Sequence, residues 1–351
     1  MPDGSSNKYF IQEHLHREVF HGGIGNIDAE KIFLKKGYTA IQFPCRDSFS
    51  LWAKLRRAIY LVKSYASVKA DAVIVFQFPL YAGMHKLLIR LLKRWKKAPV
   101  ICFITDIDGI KDGDPVKLEK EKKSLQGFSD FIVHNREMKK WLQQVVPGSR
   151  IQEIEFFDFL TTPVSVQRTK SNTIVFAGNL GKSSFLEKLD TLQANAPSLH
   201  FMLYGTGVSE KTTAAANVTY KGVHDPHHLA SYLEGSFGLV WDGDGIEDCS
   251  GPLGEYMQYI SHNKLSLYIV AGLPVITAKK AASAYLIEKY RIGVTVNSLV
   301  EIPAAINSID EETYQTMINN TKALALKITQ GECLGNALDI LEKEINSRAG
   351  N

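Results

Sequence analysis

Short runs of β-branched and aromatic residues alternate with helix-periodic segments, and the alternation starts again half-way along the chain. Nearly continuous apolar strands spaced by helices are the pattern of a parallel sheet covered on both faces. In the first half the runs fall at 8–14 (KYFIQEH), 40–43, 71–78 (DAVIVFQF), 100–105 (VICFIT) and 131–134 (FIVH). In the second they fall at 173–177 (TIVFA), 200–205 (HFMLYG), 217–222 (NVTYKG), 237–242 (FGLVWD) and 273–278 (LPVITA). Helices are expected from near Asn26 to a stop at Gly37, over 51–64 and over 83–96. A polar stretch at 161–172, TTPVSVQRTKSN, reads as a linker. The expected fold class is α/β: two doubly wound, Rossmann-like domains facing across a cleft, at 1–160 and 161–325. One last helix is expected over 311–347, long enough for its end, about 326–351, to cross back to the first domain.

Composition narrows the possible roles. With 45% apolar and 22% charged residues in 351, the chain has a full core and no case for global disorder. A net charge of +4 is too small to mark a nucleic-acid binder, so no nucleic-acid partner is expected. Cys45, Cys102, Cys249 and Cys333 form no C-x-x-C pair, which fits a reducing compartment. The opening MPDGSSNKYF has no apolar signal-peptide core, and no run approaches the roughly 20 apolar residues of a spanning helix. The expected location is the cytoplasm.

In open α/β sheets, ligands bind beyond the carboxyl ends of the strands. Three loops there are placed to meet phosphate. Gly22, Gly23 and Gly25 lie between the first strand and first helix, where exposed backbone N–H groups attract anions. They are not the dinucleotide fingerprint, because Asp28 stands where its third glycine belongs. A turn needed only for chain reversal explains them equally well. The second loop is Gly178-Asn179-Leu180-Gly181-Lys182-Ser183; a P-loop would need glycine at Phe176. What remains is a strand–glycine–helix turn with Asn179 and Lys182 as ligand candidates, or a solvated lysine. The third is GEYMQYISHNKLSLYIVAGLPVI, 254–276. There Ser261, His262 and Asn263 offer N-cap chemistry and Lys264 opens a helix, an arrangement suited to a diphosphate. An ordinary capped helix is the alternative.

The stretch HNKLSLYIVAGLPVI resembles the nucleotide-binding segment of GT-B glycosyltransferases, in particular the bacterial galactofuranosyltransferases and serine-rich-glycoprotein glucosyltransferases. FAGNLGKSSFL (176–186), YGTG (204–207), GLVWDG (238–243) and ITDIDGIK (104–111) resemble other segments of that family. The resemblance implies UDP held mainly by the second domain, as part of a UDP-sugar donor and with no other cofactor. Lys182 and Lys264 would contact the diphosphate, helped by the backbone of Asn263, Lys264, Leu265 and Ser266. Tyr204 and Gly205 would lie near the nucleoside, and Gly23 would close on the diphosphate from the first domain. It also implies self-association into a homo-oligomer. Relatives that retain configuration carry two glutamates with seven residues between them; counting from Glu255 the second position is Asn263, which favours inversion.

Inversion needs a base to deprotonate the acceptor hydroxyl. Asp106 and Asp108, after a first-domain strand, are the catalytic candidates, with His134 and His21 in reserve. Asp106-Ile-Asp108 and Asp242-Gly-Asp244 match the D-x-D of metal-dependent GT-A enzymes, a pattern short enough to arise by chance, and no metal site is expected. His224, His227 and His228 lack metal-ligand spacing and read as a loop beside the nucleotide. The helix at 84–97 carries Met84, Leu87, Leu88, Leu91, Leu92 and Trp95 on one face. The apolar face reads as core packing; the basic face is either simply solvated or attracts anionic headgroups and brings the enzyme to a lipid-linked acceptor.

The expected function is transfer of a hexose, galactofuranose or glucose, to a saccharide acceptor in surface polysaccharide synthesis. A UDP-glucose transferase acting on a glycosylated protein and a catalytically silent transferase-like partner are the alternatives.

Overall fold

The computed structural model describes residues 7–14, 23–44 and 50–349. Gly22 and His21 lie outside the described residues. The first sheet is built from β1 (Lys8–Ile11), β2 (Thr39–Ile41), β3 (Val73–Phe78), β4 (Val100–Ile104), β5 (Asp130–Val133) and β6 (Arg150–Glu153). Its order is β2-β1-β3-β4-β5-β6, all parallel. The second comprises β7 (Thr173–Asn179), β8 (His200–Thr206), β9 (Val218–Tyr220), β10 (Phe237–Val240), β11 (Val275–Ala278) and β12 (Gly293–Val296). Its order is β12-β11-β10-β7-β8-β9, again all parallel. These are the two doubly wound domains expected from the alternation of runs.

In the first domain the helices are α1 (Ile24–Lys35), α2 (Leu51–Ser67), α3 (Gly83–Trp95), α4 (Asp108–Lys111), α5 (Pro115–Leu125) and α6 (Arg136–Val145). The second carries α7 (Leu189–Asn195), α8 (Glu210–Ala214), α9 (Gly251–Tyr256), α10 (Asn263–Val270), α11 (Ala284–Tyr290) and α12 (Ile302–Asn307). Two long helices follow, α13 (Glu311–Gln330) and α14 (Glu332–Ala349).

Helix starts follow local chemistry. Ser50 accepts a hydrogen bond from Ala53 N to open α2, and Asn135 accepts from Glu137 N and Met138 N to open α6, each worth about 1 kcal/mol. The buried side chains of β3 and β4 divide between two apolar clusters, one on each face of the first sheet. Leu88, Leu92, Leu125, Met138 and Leu142, from α3, α5 and α6, cover one face. Ile32 and Phe33 of α1 with Leu334, Leu338, Leu341 and Ile345 of α14 cover the other.

Two sequence expectations change. The helix expected over 311–347 is two, because Gly331 adopts a left-handed conformation (φ +79°) and ends α13. The carboxylate of Asp158, in the segment after β6, then accepts from Cys333 N and Leu334 N and starts α14 on the first domain. The buried stripe of α3 is His85, Leu88, Ile89 and Leu92, and Trp95, expected with the apolar face, is 71% exposed.

The domains meet along their carboxyl ends. Tyr256 of α9 is buried in the first domain's cluster, donates to Asp106 Oδ1 at 2.7 Å and accepts from Ile107 N at 2.8 Å. Asn135 Nδ2 donates to Ser261 Oγ at 3.2 Å. The buried Asp28 of α1 bonds Leu160 N at 2.9 Å and His227 Nε2 at 3.1 Å. Among the described residues, no helix is long and apolar enough to cross a membrane.

Candidate functional site

α10 begins at the carboxyl end of the second sheet, and its first turn is left open. Among the described residues, no side chain caps it. The three residues with capping chemistry are each drawn elsewhere. Ser261 binds Asn135 of the first domain. His262 Nε2 pairs with Asp242 Oδ2 at 2.9 Å. Asn263 sits against α1, where a Cβ built on Gly25 would come within 2.5 Å of Asn263 Oδ1. The sequence offered capping chemistry here as the alternative to an anion site; among the described residues no side chain caps the helix, and backbone N–H groups stand at its start, where the helix dipole attracts an anion.

Lys264 is fixed beside that open end. Its Nζ lies 3.0 Å from Asp242 Oδ1 and 4.4 Å from the centre of the Phe176 ring. Burial works to raise the Asp242 carboxyl's pKa, but Lys264 and His262 hold it well below the usual carboxylate range. Asp242 therefore stays ionised and keeps the ammonium in place. Ser183 Oγ adds a long contact to the same carboxylate at 3.5 Å.

These groups line a cavity of about 310 Å³. Asn179, Lys182, Tyr204, Gly205, Asn263 and Lys264 all border it, so six of the sequence candidates converge on one site. Lys182 is exposed and makes no hydrogen bond or ion pair among the described residues. It stands in a short 3-10 turn (Leu180–Lys182), where the sequence pattern had pointed to an ordinary helix start. Tyr204 is buried, its hydroxyl donating to Tyr232 O and accepting from Glu234 N, both at 2.9 Å. Only its ring wall is offered to a ligand. The His224 ring stacks on Tyr232 at 4.3 Å and joins Val223 and Pro226 in a flat-sided wall at that end. From the first domain and the connecting segment, Ile24 and Phe159 close the cavity.

Other candidates fall outside it. Leu265 packs in the second domain's core, and Ser266 Oγ donates to Phe157 O at 2.6 Å, so both side chains turn away. Gly23 does not border the cavity; the next two residues make the approach, Ile24 to the cavity and Gly25 to Asn263. Asp106 and Asp108 lie across the cleft at the end of β4. Asp108 is mostly buried and bound by Lys111 at 2.8 Å, Lys117 at 3.2 Å and Tyr81 at 2.8 Å. Burial raises its pKa, but those partners overcome that and lower it, so the carboxylate is held ionised within these ion pairs. Asp106 is more open, and its carboxylate accepts from Tyr256 and from Lys111 at 2.8 Å. The reserve His134 is only 1% exposed; burial and neighbouring His262 push its pKa down to about 3, leaving it neutral.

Asp242 and His262 were missed by sequence reasoning as site residues. The signal for Asp242 was an acidic residue ending a fully buried strand in the nucleotide-side sheet. Its pairing with Lys264 needs the fold. Among the described residues, no group of three or more His, Cys, Asp or Glu is gathered as a metal site.

Two facing parallel domains with a cavity at the carboxyl ends of the second sheet define the GT-B fold. Solved structures agree. Sucrose-phosphate synthase from Thermosynechococcus elongatus superposes with a TM-score of 0.65 at 14% identity, covering 98% of this chain and 99% of that one. Anabaena HepE, solved with UDP-glucose, superposes with a TM-score of 0.60 at 12% identity, covering 96% and 99%.

Family models of the N-terminal and C-terminal domains of Glucosyltransferase 3-like proteins match residues 8–145 and 174–340. The β-1,6-galactofuranosyltransferase WbbI of Escherichia coli K12 is 31% identical over 287 residues, 79% of this chain and 81% of that protein. Glucosyltransferase 3 of Streptococcus gordonii is 26% identical over 319 residues, 88% and 90% of the two chains. The chain belongs to the Glucosyltransferase 3-like family, and it is a glycosyltransferase.

Proposed function

We propose that this chain transfers a hexose, galactofuranose or glucose, from a UDP-sugar to a hydroxyl of a saccharide acceptor, with inversion and without a metal ion. The observation that carries this reading is the uncapped start of α10 with Lys264 fixed beside it and Lys182 unpaired across the cavity. The diphosphate sits against that helix end, and the nucleoside lies toward Tyr204, Gly205 and the His224 wall. The relatives support the donor class: one is named a galactofuranosyltransferase, one a glucosyltransferase, and HepE is solved with UDP-glucose.

In the transfer, the acceptor oxygen attacks the anomeric carbon as the bond from that carbon to the diphosphate oxygen breaks. UDP leaves with the bonding pair, its charge met by the two lysines and the N–H groups of α10. The acceptor's proton passes to Asp106, the one exposed carboxylate of the Asp106/Asp108 pair. Tyr256 and Lys111 orient it. Peripheral contact with a membrane through the basic helix at 84–97, with a lipid-linked acceptor, and self-association belong to the same reading.

The test is thermal shift and calorimetry with UDP, GDP and ADP, with and without EDTA, on wild type and Lys264→Ala. Stabilisation selective for UDP, unchanged by EDTA and lost in the variant is the expected result, because a ligand that binds only the folded state raises its stability. A donor screen with NMR of the product anomer then reads sugar and stereochemistry. No response to any nucleotide sinks the reading.

A further inference from the structure

On the helical face of the first sheet, α3 and α5 stand apart and leave a groove of about 710 Å³, larger than the donor cavity. Phe76, Phe78, Leu80, Ile89 and Phe128 give it an apolar floor. Its rim is cationic: Lys86, Arg90 and Arg94 on α3, and Lys120 and Lys123 on α5. These five side chains are exposed, and among the described residues none makes a hydrogen bond or an ion pair.

The neighbouring charges do not neutralise them. Lys93 is tied to Gly127 O and the Phe128 ring, and Lys117 to Asp108 and Asp112. Among the described residues, the carboxylates lining the groove are Asp108, already held by lysines, and Glu121, whose oxygens accept from Asp108 N and Gly109 N. Five like charges around an apolar trough repel one another, and an anion lowers that repulsion. Inorganic phosphate would satisfy the rim and leave the floor wet. A ligand that satisfies both parts carries an anionic head on an apolar chain.

A second feature lies on the same face. Along α2, Trp52, Leu55, Ile59 and Val62 recur every three or four residues and are exposed, Trp52 by 76% and Val62 by 66%. Lys96 at the end of α3 binds Ala66 O and sits over the Tyr65 ring at 4.8 Å, so α2 runs beside α3. Exposed Trp95 extends the apolar surface. A stripe of large apolar side chains next to basic ones is the make-up of a surface that lies at a bilayer interface.

The groove has a direction. Phe128 lies just before β5, at the amino ends of the strands, and Tyr81 just after β3, at the carboxyl ends. That upper end reaches Asp108, two residues from Asp106.

We propose that the groove holds the acceptor as a bilayer amphiphile in which a phosphate or diphosphate joins an apolar chain to the saccharide. The chain lies on the aromatic floor, the phosphate meets the α3 and α5 cations, and the saccharide emerges at Tyr81 beside Asp106. The inference rests on the transferase reading for the fate of the saccharide, but not for binding.

The test uses the full chain saturated with UDP and measures calorimetric affinity for farnesyl diphosphate, farnesol and inorganic diphosphate. Farnesyl diphosphate is expected to bind at least tenfold tighter than either other probe. Arg90→Glu/Arg94→Glu/Lys123→Glu is expected to weaken it at least tenfold while the UDP-induced thermal shift stays at its wild-type value. Should that variant misfold, Arg90→Gln/Lys123→Gln gives the same reading with a smaller loss. Equal affinity for inorganic diphosphate, displacement of UDP by farnesyl diphosphate, or undiminished binding in the reversed variant each overturns the proposal. Failure of the donor reading looks different: no response to UDP, with farnesyl diphosphate binding intact.

Discussion

The donor cavity and the basic groove both attract anions, yet they manage positive charge in opposite ways. Around the cavity, Asp242 holds Lys264 and His262 in one geometry, and the remaining attraction comes from fixed N–H groups of α10 and from Lys182. Around the groove, five cations stand unpaired on two helices that do not close against each other. The first arrangement suits the diphosphate of the proposed donor, held in one place as transition-state stabilisation requires. The second suits a ligand that varies, held by summed charge and apolar contact. The proposed donor is the same molecule at every turnover; the proposed acceptor, drawn from a bilayer, is long and mobile.

The contrast breaks most readily at Asp242. Asp242→Ala leaves Lys264 and His262 without their partner, and unfolding in urea should show a loss of about 3 kcal/mol, the low end for a broken buried pair because Asp242 keeps 16% of its side-chain surface exposed. UDP binding should fall with it. The same carboxylate sets a pH limit. Its pKa in the folded state lies below the unfolded value of about 3.9, so its stabilisation is complete above that value and is lost as pH falls through the folded value. Denaturation curves of wild type and Asp242→Asn should therefore converge as pH is lowered below about 4.

Lys182→Ala is expected to weaken UDP by about tenfold, roughly 1.4 kcal/mol, with unfolding unchanged, since its head has no partner to lose. The smallest effect belongs to the groove. Lys120→Gln/Lys123→Gln should change the unfolding free energy by less than about 0.5 kcal/mol, as expected where no contact is removed. A large loss there would show hidden pairing and dissolve the contrast.

The sheets were legible because most of their strands are nearly continuous apolar runs, as in VIVFQF and VICFI. β6, with the sequence RIQE, and β12, GVTV, escaped notice because edge strands bury fewer side chains. The break at Gly331 was hidden by helical periodicity on both sides of it. At the site, Lys264 was readable because a lysine at a helix start before an apolar run is a local signal. What Ser261, His262 and Ser266 do was not readable. Each is drawn to a residue far away in sequence, Asn135, Asp242 and Phe157, and only tertiary packing makes that choice. Asp106 and Asp108 are alike in sequence, and Lys117 on α5 is among the groups that separate them.

α14 has a consequence for how the chain is made. The face formed by Phe10, Val75, Phe103 and Ile132 is covered by Leu334, Leu338 and Leu341. A ribosome therefore delivers the first domain's sheet by Glu153 and its last wall only from Glu332 onward. At roughly 5–20 residues per second, that face waits on the order of 10–40 seconds for its cover. A nascent chain stalled before Gly331 should be far more protease-sensitive in its first domain than the full chain.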